Sequence, residues 1–120
     1  MCNLLEHLGE KECAFCECNI PEVIDGAHIW EVASIKKQNV TEKEKISFVV
    51  DKYNGLWLCK NHHKIFDSGM IRILNDGQIE IAPTICDAKR QFVEEITKKV
   101  RLEEKYISPK FLKYLKKRNS

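Results

Sequence analysis

Hydrophobic and polar positions alternate most regularly over residues 70–82 (MIRILNDGQIEIA), where Met and Ile residues lie on both sides of Asn75-Asp76-Gly77. Period-two alternation around such a turn signal predicts a two-stranded antiparallel hairpin. Residues 55–59 (GLWLC) are an apolar run that reads as a buried strand, and 27–33 (AHIWEVA) read as a short strand leading into a loop. The stretch KKQNVTEKEK is too polar for a core and is expected as an exposed loop or a helix start, while ISFVV fits strand or helix equally. A helix is expected to open near Asn61, run through HHKIF and stop at Gly69. Phe92, Ile96 and Val100 recur about one turn apart, which predicts an amphipathic helix over 87–105 with Asp87 as its N-cap. Ser108-Pro109, a cap followed by proline at the first helical position, opens a last helix through FLKYLKK. Residues 3–9 (NLLEHLG) suggest a short helix from Asn3 to Gly9. With no internal repeat or low-complexity linker, a single small α+β domain is expected over 1–120, with antiparallel hairpins and C-terminal helices.

Composition narrows the class. With 43% hydrophobic and 32% charged residues the chain has the mixture of a folded protein rather than a disordered one. It contains no apolar run of about 18 residues and does not begin like a signal peptide, so a cytoplasmic protein without a membrane span is expected. The net charge of +2 hides an asymmetry: residues 1–86 carry 9 Lys and Arg against 13 Asp and Glu, a balance of −4, and residues 87–120 carry 11 against 5, a balance of +6. A basic C-terminal third suits a polyanionic partner, with Lys98, Lys99, Lys113, Lys116 and Lys117 as candidate phosphate contacts; otherwise it is a solvated face of charged helices.

Six cysteines in a cytoplasmic chain point to metal binding or reactive thiols rather than disulfides. Cys13-x2-Cys16 and Cys59-x2-His62 are two close pairs far apart in sequence. Each short loop can present two ligands on one side, which is what a tetrahedral structural zinc site needs. Cys18 competes for the first pair, and Cys2 and Cys86 have no partner at ligand spacing. If residues 61–68 are helical, His63 and Asp67 point from one face and could hold a hard divalent cation, Mg2+ or another, while the neighbouring His62 serves the zinc.

The segments CAFC, DGAHIW and YNGLWLCKNHHKIFDSGMIRI resemble the HNH endonuclease superfamily, in the branch seen among restriction endonucleases. The resemblance covers about residues 13–82 and implies the ββα-metal fold, two antiparallel strands and a helix around one catalytic metal. It implies a general-base role for His28, a loop-holding and base-orienting role for Asn54, and a metal-ligand role for His63, with Asp67 where other members place a further ligand. It matches Cys13, Cys16, Cys59 and His62 to structural zinc knuckles that usually have four cysteines. Many members carry a metal-ligating His or Asp immediately before the base; here that position is Ala27, so the missing oxygen would come from Asp67 or from Asp25.

The resemblance therefore implies a metal-dependent endonuclease hydrolysing phosphodiester bonds in DNA, in a restriction or defence setting, as a homodimer or part of a larger restriction assembly. The zinc would do no chemistry, replacing instead the core that so small a unit cannot build. The alternative is a non-catalytic zinc-stabilised nucleic-acid-binding module, which would have no reason to assemble His28, Asn54 and His63. A zinc deaminase would show a His-x-Glu signature that the sequence lacks.

Overall fold

The computed structural model describes residue 5 and residues 7–119; the expected cap Asn3 and the thiol of Cys2 lie outside them. The chain order is β1 (Ile24–His28), α1 (Val32–Lys36), α2 (Glu42–Val49), β2 (Gly55–Cys59), α3 (Lys60–Asp67), β3 (Ile71–Ile73), β4 (Ile79–Ile81), α4 (Asp87–Ile96) and α5 (Pro109–Asn119). β1 and β2 pair antiparallel in a register that sets Ile24 against Cys59 and His28 against Gly55. α3 begins at the residue after β2, so two strands and one helix form a ββα unit with α1 and α2 inserted between its strands. β3 and β4 form the expected hairpin, a second antiparallel pair. Its turn closes through the Gly77 N–H to the Leu74 carbonyl at 2.8 Å, with Gly77 at φ 91°, where a side chain would be strained.

The apolar run of β2 is buried at every position, and Trp57, Leu56 and Leu58 join Phe15, Phe66, Ile71, Phe111 and Leu115 in one core. Removing side chains of this size from water stabilises by roughly 1.5–3 kcal/mol each. α5 contributes Phe111, Tyr114 and Leu115, spaced by helical turns, and its start follows the expected cap, the Phe111 N–H donating to Ser108 Oγ at 3.1 Å. Tyr114 Oη donates to Asp51 Oδ2 at 2.6 Å, tying α5 to the loop before β2.

Several boundaries differ from expectation, each for a tertiary or capping reason. Of the forms left open for the polar stretch and for ISFVV, the helix is the one observed: Thr41 caps α2, its side chain accepting the Glu44 N–H at 3.2 Å, with Glu42 and Glu44 in the positively polarised first turn and Ile46 to Val49 continuing the helix. The strand expected over 27–33 starts earlier, at Ile24, and gives way to α1. The helix expected over 87–105 stops at Ile96, and its N-cap is Cys86 rather than Asp87. Past Ile96 the backbone N–H groups of Lys98 and Lys99 turn to the Phe15 carbonyl, and Arg101 bridges to Gln78 beside the hairpin. The buried position of α4 is Val93, while Phe92 and Val100 of the expected stripe are exposed. Among the described residues no helix is long and apolar enough to cross a membrane.

Candidate active site and metal centre

Cys13, Cys16, Cys59 and His62 come together with their ligand atoms all within 4.8 Å of one another. Cys13 Sγ lies 3.6 Å and Cys59 Sγ 3.2 Å from His62 Nδ1, and the sulfurs of Cys16 and Cys59 are 4.0 Å apart. Zn–S near 2.3 Å and Zn–N near 2.0 Å at tetrahedral angles imply S···N of about 3.5 Å and S···S of about 3.8 Å, so this donor set fits zinc. The histidine is prepared for that role. Its Nε2 lies 3.0 Å from Thr97 Oγ1, a partner that can take the ring N–H and leave the Nδ1 lone pair facing the sulfurs. Burial lowers the His62 pKa to about 4, which keeps the ring neutral, and burial pushes the Cys13 and Cys16 thiols up. A bound cation relieves the cost of turning such thiols into thiolates. Cys18 stands outside the group, its carbonyl accepting the Cys13 N–H, and Cys86 is exposed.

Cys59 has three duties: it ends β2, joins the cluster, and caps α3, its Sγ accepting from the His62 N–H at 3.5 Å. α3 then presents His62 toward the cluster and His63 away from it. His63 stands between two carboxylates, Nδ1 3.3 Å from Asp25 Oδ2 on β1 and Nε2 3.3 Å from Asp67 Oδ2 one turn further along α3. A neutral imidazole has one N–H to offer the pair. Asp25 also takes Lys60 Nζ at 3.0 Å; that bond and the His63 contact together hold its carboxyl below the usual range against the opposing effect of burial.

His28, Glu31, Val32, His63 and Asp67 line one pocket of about 250 Å³, which brings together the ends of β1 and α3. His28 Nε2 lies 3.0 Å from the Val49 carbonyl, an atom that only accepts, so Nε2 carries the proton and Nδ1 keeps the lone pair. Asn54 does not line this pocket. It is fully buried, its Oδ1 accepting the Trp30 N–H at 2.7 Å and its Nδ2 donating to the carbonyls of Trp30 and Phe48 at 3.2 and 3.1 Å. It thus pins the chain after β1 to the end of α2, whose next carbonyl holds His28.

A larger cleft of about 550 Å³ continues from Glu31 and Asp67 past Ser68, Arg72, Asn75 and Arg118. Glu31, on the pocket wall, and Arg118, beside it, were not anticipated from sequence, because neither stands at a recognisable spacing. Of the basic candidates, Lys98, Lys113 and Lys116 are exposed, and Lys117 Nζ lies 5.7 Å from the centre of the Trp30 ring. Lys99 departs from expectation. Its ammonium is held by Glu12 at 3.2 Å, Glu103 at 3.0 Å and the Cys13 carbonyl at 3.3 Å, so it clasps the first cysteine turn instead of facing solvent.

Residues 13–73 match the HNH endonuclease family, and no curated protein matches the chain. The matched span holds both the cluster and the pocket, and it ends at β3, before α4 and α5. This chain belongs to the HNH endonuclease family.

Proposed function

We propose that the chain is a metal-dependent endonuclease that hydrolyses phosphodiester bonds in DNA, with its 120 residues forming one nuclease domain. The carrying observation is the pocket shared by His28, His63 and Asp67, with the His28 ring fixed so that its basic nitrogen is Nδ1. In this reading His28 Nδ1 takes the proton of the attacking water, the general-base task that histidine most often performs. Val49 and, through the neighbouring Phe48 and Trp30 backbone, Asn54 keep the ring from turning away.

The pocket presents carboxylates to a substrate that is itself anionic, so phosphate would be repelled unless a cation lay between them. His63 Nε2 and Asp67 are the groups placed to hold Mg2+ or a similar ion, which when bound neutralises charge developing on the phosphoryl and leaving oxygens. Asp25, outside the pocket, takes the His63 Nδ1–H and fixes the ring with Nε2 toward Asp67. Asp67 is thus the better candidate for the oxygen missing at Ala27, and Asp25 is the orienting partner. The cluster of Cys13, Cys16, Cys59 and His62 has all four positions filled by protein and serves as a structural zinc site. The cleft beyond Asp67 would take the flanking strand, with Lys98, Lys113, Lys116 and Lys117 adding long-range attraction for phosphates. A cytoplasmic restriction or defence role is the setting this activity suits.

Supercoiled plasmid incubated with zinc-loaded protein and Mg2+ or Mn2+ should be nicked or linearised, and His28→Ala should abolish it. A His28→Ala protein that cuts at the parent rate would sink this reading, and DNA binding without cleavage by the parent at any divalent ion would favour a binding module.

A further inference from the structure

Arg118 lies near the end of α5, outside the family-matched span, and its side chain is only 12% exposed. Nη1 donates to the Ile29 carbonyl at 3.1 Å and to Glu31 Oε1 at 3.2 Å, and Nη2 donates to the Phe66 carbonyl at 2.7 Å. The guanidinium carbon is 3.6 Å from the centre of the Phe66 ring. These anchors have one thing in common: Ile29 follows His28 at the end of β1, Phe66 precedes Asp67 on α3, and Glu31 lines the pocket between them. One rigid fork therefore spans the two elements whose ends make the site. The same helix end is secured by Asn119, whose Nδ2 donates to the Ile73 carbonyl and to Asn75 Oδ1, both at 2.9 Å.

We propose that Arg118 is a positioning residue for the hydrolysis assigned above: by bridging the backbone beside His28 to the backbone beside Asp67, it sets the separation between the proton-accepting ring and the cation-holding groups. The inference rests on the nuclease reading. It makes the C-terminal helix part of the active site although the helix supplies no reacting group. Charge alone does not suffice, because the two nitrogens of the planar guanidinium reach the Ile29 and Phe66 carbonyls at a fixed spacing, whereas an ammonium donates from a single atom.

The test compares the full-length zinc-loaded protein with Arg118→Lys and Arg118→Met by two readouts: the ring NMR signals of the histidines and the steady-state cleavage of DNA. Both variants are expected to keep their zinc and to shift the His28 and His63 ring signals while leaving those of His7 in place. kcat should fall roughly 10- to 100-fold, the scale of a misplacement near 1 Å, with KM close to the parent value. Lysine should rescue little. Ring signals that coincide with the parent's, or an unchanged kcat, would overturn the proposal, and so would a loss of activity that only follows the loss of folded protein. A parent that cuts no DNA would defeat the nuclease reading instead, and the ring signals would still decide whether Arg118 places the two histidines.

Discussion

Asn54 and Trp30 form a two-way pair: the asparagine oxygen accepts the Trp30 N–H at 2.7 Å and its amide donates back to the Trp30 carbonyl at 3.2 Å. The geometry mimics a rung between strands, but a side chain makes it, in a place where the backbone has already left the sheet. Asn54→Ala would leave these groups and the Phe48 carbonyl unpaired, at roughly 1–3 kcal/mol for each that water cannot reach. The expected result is a loss on the order of 3 kcal/mol by denaturant unfolding, together with slower cleavage. Asn54→Asp should be nearly as damaging, since a carboxylate cannot donate to the two carbonyls. A variant of unchanged stability would mean that water or a neighbour replaces the amide.

Zinc removal should unfold rather than merely inactivate. The cluster joins the turn at 13–16 to the junction of β2 and α3, so purified protein should hold about one zinc per chain, and Cys16→Ala or Cys59→Ala should melt much lower or fail to express. Elemental analysis with thermal melts in chelator checks this. A zinc-free chain with the parent's melting curve would contradict it.

His28 and His63 should fail in different ways. His28→Ala is expected to keep Mn2+ binding and DNA affinity while losing cleavage by about 10²- to 10⁴-fold, the usual worth of a general base. His63→Ala and Asp67→Ala should weaken Mn2+ binding as well, measured by titration of zinc-loaded protein. Asp25→Asn should have a milder effect, because an amide oxygen can still accept the Nδ1–H. Asp67→Ala with the parent's Mn2+ affinity would move the ligand role elsewhere.

The lysines divide into two groups. Neutralising Lys113 and Lys116 together should flatten the salt dependence of DNA binding by up to about 2 in log–log slope while leaving the melting temperature alone. Lys99→Met should do the reverse, lowering stability and sparing the slope, since Glu12 and Glu103 already hold its charge. A salt slope that falls with Lys99→Met would place that ammonium on the nucleic acid after all.

Asp51 supplies a pH signature. Burial alone would raise its pKa, but the hydrogen bonds from Tyr114 and the Tyr53 N–H, with Lys110 nearby, hold it below the ordinary value. A carboxyl depressed in the folded state stabilises above the unfolded pKa of about 3.9 and loses that contribution as pH falls through the folded value. The gap in stability between the parent and Asp51→Asn should therefore be full at pH 7 and narrow below about pH 4. Taking the difference between the two proteins cancels the cluster's own acid sensitivity. A gap independent of pH would show that Asp51 acts through shape rather than charge.

What could be read in advance was local. The ligand pairs, the Gly77 turn and the Ser108-Pro109 start each depend on residues within a few positions, so their spacing carries the geometry. The end of α4 was not legible, because helical periodicity continues past Ile96 while the competing partners, the His62 ring for Thr97 and the Phe15 carbonyl for Lys98 and Lys99, lie far off in sequence. Arg118 was hidden for the same reason, with acceptors 52 and 89 positions away. In a lysine-rich tail nothing marks one arginine as half of a long-range clasp. Asp67 and Asp25 were legible as alternatives for the oxygen missing at Ala27, and the fold sets one against each ring nitrogen of His63.

The triple duty of Cys59 has a thermodynamic consequence. Its sulfur both joins the cluster and accepts the first-turn N–H of α3, while His63 and Asp67 stand further along that same helix. Order at one end of α3 is therefore linked to order at the other, and such coupling is reciprocal. A divalent ion settling between His63 and Asp67 would tighten the affinity for zinc at the opposite end. A cell starved of zinc would weaken the grip on that second ion by the same factor.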